Sequence, residues 1–142
     1  MKYRKGNNKI FVRLEKEESI HSNILDLINN LCIDSGFIIG IGAINSVKLG
    51  YYDIKSKEYS SKNFINDYEL TSFTGNISFR NGKRFIHSHI SMSDSSYKMY
   101  GGHLFEAKIS AAGEFCIFPD QVSIERTYCS DIGLALWDFS DK

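Results

Sequence analysis

The sequence lacks the features that mark exported and membrane-spanning proteins. Its three cysteines, Cys32, Cys116 and Cys129, include no C-x-x-C pair, which disfavours both a disulfide framework and a cysteine metal site. The N-terminal segment has no apolar stretch of the signal-peptide type. The longest apolar run, residues 37–44, is too short to span a bilayer. We therefore expect a soluble, cytoplasmic protein with reduced, partly buried thiols and no membrane partner.

The sequence also lacks a net charge. Its 17 basic and 17 acidic side chains cancel, whereas a domain that binds nucleic acid mainly through phosphates usually has a basic excess or a basic face. Local basic charge is confined to the N-terminus, at Lys2, Arg4, Lys5 and Lys9. The charge balance therefore does not support DNA as a partner.

Nothing in the sequence divides the chain into separate domains. No repeat, linker or low-complexity tract is present, and the single proline, Pro119, falls at the end of a predicted strand. The content of 42% hydrophobic and 13% aromatic residues suits a chain with a packed core, and 142 residues are enough to bury one. We predict one domain over residues 1–142.

Hydrophobic periodicity predicts one helix and a series of strands. Alternation over residues 10–15 indicates a strand, and apolar spacings of three and four predict a helix over about residues 18–34, with Gly36 placed as its C-cap. The remaining predicted strands are residues 37–53, 58–64, 68–80, 83–93, 100–118, 122–128 and 134–139. These elements predict an α+β fold, in which one main helix packs on a mostly antiparallel β-sheet.

A predicted hairpin places two histidines on one face of the sheet. The dipeptide at 81–82, Asn-Gly, lies between two alternating segments and is a strong signal for a two-residue turn. In the register set by that turn, His87 lies opposite Asn76 and His89 lies opposite Thr74. Because they are two residues apart on a strand, both imidazoles project from the same polar face.

A second turn places His103 beside them. If the polar stretch 94–98 is a turn centred on Ser96, His103 lies directly across from His89, with His87 one diagonal step away. Opposed residues have Cβ atoms about 5 Å apart, and diagonal neighbours about 7–8 Å. Imidazoles at these separations can reach one ion at about 2.0–2.1 Å per zinc–nitrogen bond. We therefore predict His87, His89 and His103 as ligands of Zn²⁺ or another divalent transition metal.

The sequence leaves open whether these histidines bind a metal. Paired histidines are also common on wet sheet faces, where they bind no metal. If a metal is bound, three protein ligands and an open position are typical of a catalytic zinc site, and Asn76, Thr74 and Ser91 are placed to orient the second ring nitrogens. The fourth histidine, His21, falls in the first turn of the predicted helix, and we expect it to face solvent.

Five segments resemble, in order, the PPC domain, which is conserved in plants and prokaryotes. The segments are GIGAI at 40–44, VKLGYYD at 47–53, YELTSFTGNI at 68–77, the H-S-H strand at 87–89 and YGGHL at 100–104. The resemblance extends from about residue 4 to residue 118. It implies a PPC-like α+β domain that assembles as a homotrimer.

The resemblance also implies functions. Plant members of the family follow an AT-hook and bind nuclear DNA, and prokaryotic members are often called DNA-binding by analogy; this chain lacks the R-G-R-P core of an AT-hook. Prokaryotic members also resemble α-acetolactate decarboxylase in fold, and that enzyme holds zinc with an H-x-H…H arrangement. For the carboxylate and arginine groups that the decarboxylase also needs, Glu69, Arg4 and Arg84 are candidates by residue type alone.

Three functions remain open from the sequence. The first is a homotrimeric, zinc-binding PPC domain protein that binds or acts on a small anionic ligand, with lyase- or hydrolase-like activity if it is an enzyme. The second is a DNA-binding protein of the PPC family. The third is a non-catalytic assembly module whose histidines bind metal only adventitiously.

Overall fold

Nine strands and one helix make up residues 1–140, which are the residues that the computed structural model describes. The strands are β1 (Lys2–Gly6), β2 (Lys9–Glu15), β3 (Ser35–Asp53), β4 (Glu58–Phe64), β5 (Tyr68–Arg80), β6 (Lys83–Ser93), β7 (Met99–Asp120), β8 (Glu125–Cys129) and β9 (Leu134–Trp137). The helix, α1, covers Ile20–Asn30 and lies between β2 and β3 in the chain. Within residues 1–140, no helix combines the length and the apolar character that a membrane crossing requires.

The strands form one sheet with β3 and β7 at its centre. The strand order is β1-β2-β7-β3-β5-β8-β9, while β4 pairs with β3 and β6 pairs with both β5 and β7. Every one of these pairings is antiparallel except that of β5 with β8, which is parallel. This mostly antiparallel sheet with its single helix confirms the predicted α+β class.

Helix α1 is held by its apolar face rather than by a capping side chain. Its buried residues are Ile20, Ile24, Leu27 and Ile28, which recur at the spacing of one helical face and pack towards β6 and β7. Each such side chain contributes roughly 1.5–3 kcal/mol when it is fully buried. The N-cap residue, Ser19, makes no side-chain cap hydrogen bond. Burial therefore stabilises this helix more than its ends do.

The helix is shorter than predicted, and the prediction that Gly36 caps it is wrong. Leu31 is the C-cap residue, and Cys32 adopts a left-handed backbone with φ of 54°, so the chain turns before it reaches Gly36. Gly36 instead lies in β3, where a Cβ atom would come within 2.3 Å of the carbonyl oxygen of Phe118. A glycine is needed there for the close approach of β3 to β7.

The cysteines are free thiols. Cys116 and Cys129 are half-buried, as predicted, whereas Cys32 is exposed and departs from the prediction. Cys32 lies in the turn that follows α1, where its backbone has a left-handed conformation.

Most strand bounds agree with those predicted, and β4, β5 and β6 agree at both ends. Strand β1 was not predicted, because all five of its residues are exposed and their sequence shows no alternation. The predicted strands 122–128 and 134–139 are shorter in the structure, where they are β8 and β9.

Candidate metal centre

The two hairpins have the registers that their turns predict. In the pairing of β5 with β6, His87 lies opposite Asn76 and His89 opposite Thr74. In the pairing of β6 with β7, His89 lies opposite His103. The bulge in β5 falls between Leu70 and Ser72 and so lies outside the histidine region.

The three imidazoles form a compact cluster. The ring centroids of His87 and His103 are 5.1 Å apart, those of His87 and His89 are 5.2 Å apart, and those of His89 and His103 are 5.4 Å apart. One ring nitrogen from each residue lies within 4.8 Å of the corresponding nitrogen of the other two. The chain thus brings together, from two adjacent strands, three ring nitrogens of the kind that bind metal ions.

The donor set fits a divalent transition metal. Three nitrogens that bind one zinc ion tetrahedrally at about 2.0–2.1 Å lie roughly 3.3 Å from one another, so side-chain rotations that contract the cluster by up to roughly 1.5 Å would complete the set. The Nδ1 atom of His103 is buried and has no hydrogen-bond partner among the described residues. A buried polar atom without a partner is rare and calls for an explanation such as an ion.

The electrostatic environment keeps two of these imidazoles neutral. Burial, together with the smaller effect of the positive charge of Arg126, lowers the pKa of His87 to about 4. Burial also lowers the pKa of His103 to about 4, with His87 and His89 adding to the effect. Both rings are therefore uncharged at pH 7, and the neutral imidazole is the form that binds a metal.

A cavity opens beside the cluster because β6 and β7 separate there. The two strands are paired from Ser93 and Met99 as far as His89 and His103. Past that last pair they diverge, and a cavity of about 620 Å³ is lined by Phe85, Ile86 and His87 of β6 and by His103, Leu104 and Phe105 of β7. The rest of its wall comes from α1, from β3, β4 and the turn between them, from Arg80 of β5 and Arg84 of β6, and from the C-terminal hairpin of β8 and β9. Two of the three histidines therefore face a space of the size that small ligands occupy.

Arg126 also lines this cavity, although it belongs to none of the sequence motifs. Its guanidinium donates hydrogen bonds to Ser78 Oγ (2.8 Å), to Asn76 Oδ1 (2.8 Å) and to the carbonyl oxygen of Ala135 (3.0 Å). Arg126 reaches this position through the parallel pairing of β8 with β5. A parallel pairing leaves no local turn signal in a sequence, so no motif pointed to this residue.

The residues that the sequence suggested for supporting roles at the metal site have other partners or lie away from the cavity. Asn76 accepts its hydrogen bond from Arg126, and Ser91 pairs with the hydroxyl of Thr71 at 2.9 Å, so neither is bonded to a histidine. Arg84 does line the cavity, but its guanidinium is paired with the carboxylate of Asp34. The other two candidates, Arg4 in β1 and Glu69 in β5, do not line it.

His21 is half-buried, so the prediction that it faces solvent is wrong. Its Nδ1–H donates to the carbonyl oxygen of Phe105 (3.2 Å), and its Nε2 is 2.8 Å from Ser88 Oγ. Burial lowers the pKa of His21, while the hydrogen bond to Phe105 opposes that effect. The residue connects α1 to both strands that carry the cluster, and apolar spacing alone did not reveal this tertiary contact.

We expect Ser88→Ala to lower the free energy of unfolding by about 1–3 kcal/mol, because the Nε2 of the half-buried His21 ring loses its partner. Urea unfolding followed by circular dichroism would measure the change. Ser91→Ala is the matched control on the same strand, where Ser91 bonds an exposed threonine, and it should change stability by less than about 0.5 kcal/mol. Equal effects of the two substitutions would contradict a structural role for the His21–Ser88 contact.

Fold and site together define an α+β domain with a candidate metal centre at the point where two strands part. The family model of the Plants and Prokaryotes Conserved (PCC) domain, also called PPC, matches residues 1–119. The chain belongs to this family, as its sequence motifs indicated. Among curated proteins, none matches the chain.

Solved structures of similar proteins agree with this assignment. A candidate DNA-binding protein from Bacteroides thetaiotaomicron is 36% identical, with a TM-score of 0.95 over 99% of this chain and 98% of that one. A metal-containing protein from Archaeoglobus fulgidus is 31% identical, with a TM-score of 0.85 over 96% of each chain.

The expected likeness to acetolactate decarboxylase is confirmed at the level of fold. The enzyme from Bacillus subtilis is 15% identical and has a TM-score of 0.57, over 85% of this chain and 57% of the enzyme. At that identity the likeness concerns the fold alone, because function depends on the site rather than on the fold that carries it.

Proposed function

We propose that the protein is a homotrimeric metal-binding PPC domain protein, whose three-histidine site binds or acts on a small anionic ligand. The observation that carries the proposal is the cluster of His87, His89 and His103, with three ring nitrogens within 4.8 Å of one another and a buried Nδ1 of His103 that has no partner among the described residues. The 31% identical archaeal relative, which is a metal-containing protein, supports it.

Zinc is the proposed metal, and the three imidazoles are its proposed ligands. Imidazole nitrogens suit Zn²⁺, although they also bind nickel, copper and iron, and availability usually decides among these ions. Bound with one position open, Zn²⁺ supplies Lewis-acid polarisation of a ligand oxygen. His87 and His103 belong to the cluster and also line the cavity. A ligand in the cavity would therefore lie next to the metal.

Elemental analysis of protein purified without a histidine tag tests this proposal. We expect close to one transition-metal ion per chain, with zinc as the main element, because each chain contributes a complete cluster. Less than about a tenth of an ion per chain would contradict the proposal, since sites with three imidazole ligands hold zinc tightly. A structure refined with anomalous data at the zinc edge would then identify the ion and its fourth ligand.

The homotrimeric state is supported by an exposed apolar face on the central strands. Five of its side chains are 41–56% exposed: Phe11, Phe37, Ile39, Ile41 and Phe118. They share one face, because Phe37 lies opposite Phe118 and because both Phe11 and Ile39 lie opposite Cys116. A contiguous apolar surface of this kind usually marks a protein interface. We propose that this face, named here the β2–β7–β3 face, packs against the other two copies.

DNA binding is the second candidate function, and the 36% identical relative, a candidate DNA-binding protein, supports it. In this chain one of the four basic residues of the N-terminus, Lys2, is ion-paired, because its ammonium lies 3.4 Å from the carboxylate of Glu15. Mobility shift of duplex DNA separates the candidates. A DNA-binding protein would shift the duplex at micromolar concentration, with a log–log salt slope of about −0.9 per phosphate contacted.

A further inference from the structure

The cavity beside the histidine cluster has an unbalanced charge. Four cationic side chains line it: Lys57, Arg80, Arg84 and Arg126. No aspartate or glutamate of residues 1–140 lines it, although the whole chain has equal numbers of acidic and basic residues. The positive charge is therefore a property of this cavity and does not reflect the composition of the protein.

Among these four cations, only the charge of Arg84 is neutralised by a carboxylate. Arg84 is ion-paired with Asp34 and also donates to the carbonyl oxygen of Ile33. The ammonium of Lys57 donates to the carbonyl oxygen of Ser130 at 2.7 Å. Lys57, Arg80 and Arg126 therefore keep their charges, and none of the three forms an ion pair within residues 1–140.

Arg80 and Arg126 lie close together at the same aromatic ring. They are partners in the pairing of β5 with β8. The guanidinium carbon of Arg80 lies 5.4 Å from the centroid of Phe85, and that of Arg126 lies 5.6 Å from it. Two like charges around one ring repel each other, and burial together with Arg80 lowers the pKa of Arg126. An anion between the cavity wall and these groups would relieve that repulsion.

Arg126 is held in a fixed orientation and still has donors to offer. Its bonds to Ser78, Asn76 and Ala135 use three of the five N–H donors of a guanidinium. Two donors remain, and two is the number that a carboxylate accepts in a bidentate contact. Asn76 also lies directly opposite His87 in the sheet, so the head group of Arg126 is anchored next to the histidine cluster.

The rest of the cavity wall is apolar or aromatic. Leu104 and Phe105 of β7 form one side, and Leu134 and Leu136 of β9 form another. Such walls favour the burial of an apolar ligand body, with a few polar groups to orient it. The C-terminal hairpin of β8 and β9 thus supplies both Arg126 and part of the apolar wall.

We propose that this cavity binds a small organic carboxylate, with Arg126 holding the carboxylate group and the apolar walls enclosing the rest of the molecule. This inference rests on the proposed metal site, because the ligand would lie between Arg126 and the histidine cluster. It adds a specificity-determining residue, and it makes the β8–β9 hairpin the element that selects the ligand.

Calorimetric titration with benzoate tests the inference, with benzyl alcohol as the uncharged probe and inorganic phosphate as the anion without an apolar body. We expect benzoate to bind the metal-loaded protein, and Arg126→Gln to weaken that binding by about ten- to a hundredfold. Benzyl alcohol should bind weakly and equally to both proteins. Arg84→Gln is the matched control: it lines the same cavity, but its charge is already paired, so benzoate affinity should change by less than about threefold.

Additional measurements keep the two proposals separate. Arg126→Lys retains the charge without the fork of donors and should bind benzoate with an intermediate affinity, while circular dichroism verifies that each variant is folded. Metal content should be the same in Arg126→Gln as in the unaltered protein, because Arg126 is no metal ligand. If the purified protein holds no metal but benzoate binding still depends on Arg126, the proposed metal site is overturned and the carboxylate site is not. Any one of three results would overturn the inference: the protein does not bind benzoate, the Arg126→Gln variant binds benzoate as tightly as the unaltered protein, or the protein binds phosphate more tightly than benzoate.

Discussion

Replacing His103 by alanine is expected to abolish tight metal binding, with an affinity loss of more than about a hundredfold. Loss of an outer partner of a ligand already costs about 10–100-fold in metal affinity, and His103→Ala removes one of three direct ligands. The remaining pair, His87 and His89, comes from a single strand and cannot enclose an ion from two sides. Competition with a chromophoric zinc chelator would give the affinity, and elemental analysis would give the metal content per chain.

Two further variants make the interpretation of His103→Ala secure. The ring of His103 packs against Tyr59 and Phe105, with centroid distances of 5.1 and 4.9 Å, so alanine also leaves a gap. His103→Gln fills more of that gap but lacks the imidazole, and it should lose the metal as well. His21→Ala is the control for removing a histidine outside the cluster, and it should retain close to one ion per chain. Equal metal affinity in His103→Gln and the unaltered protein would show that the cluster is not the metal site.

The hairpin register was predictable from sequence because it depends on local turns. The Asn81-Gly82 turn, in which both residues have positive φ values of 53° and 69°, fixes β5 against β6 by its own geometry. The polar turn after β6 then sets the position of His103. Once two short turns define the register, simple counting places three histidines on one face.

The features that escaped prediction depend on contacts between distant parts of the chain. Arg126 enters the cavity through a parallel pairing between residues 46 positions apart, Arg80 and Arg126. His21 is half-buried because α1 packs where β6 and β7 diverge, and its partners Ser88 and Phe105 lie far away in sequence. Neither turn signals nor periodicity encode such contacts, so the cluster could be predicted while the cavity beside it could not.

The sheet also connects the histidine cluster to the β2–β7–β3 face. Ile39 lies opposite Thr74, Thr74 lies opposite His89, and His89 lies opposite His103. Residues paired in this way share one face of a sheet, so the exposed His89 and the exposed Ile39 belong to the same surface. The proposed interface between copies therefore borders the proposed metal site, although each chain carries all three histidines.

Ile39→Asp is expected to convert the proposed homotrimer into monomers. Ile39 is 49% exposed in the single chain, so the aspartate is solvated in a monomer and the fold should be unaffected. In the trimer the same carboxylate would be buried without a partner, which costs several kcal/mol per ion and weakens association by at least about a thousandfold. Sedimentation equilibrium of the two proteins at equal concentration would measure the change.

Ile65→Asp is the matched control, because Ile65 is 83% exposed and lies outside the β2–β7–β3 face. It should leave the trimer intact, and trimers that persist in Ile39→Asp would contradict the proposed interface. The metal content of the Ile39→Asp monomer then separates two arrangements of the site. Since all three imidazoles come from one chain and lie within reach of a single ion, the monomer should still hold close to one ion, whereas its loss would place an additional ligand on a neighbouring copy.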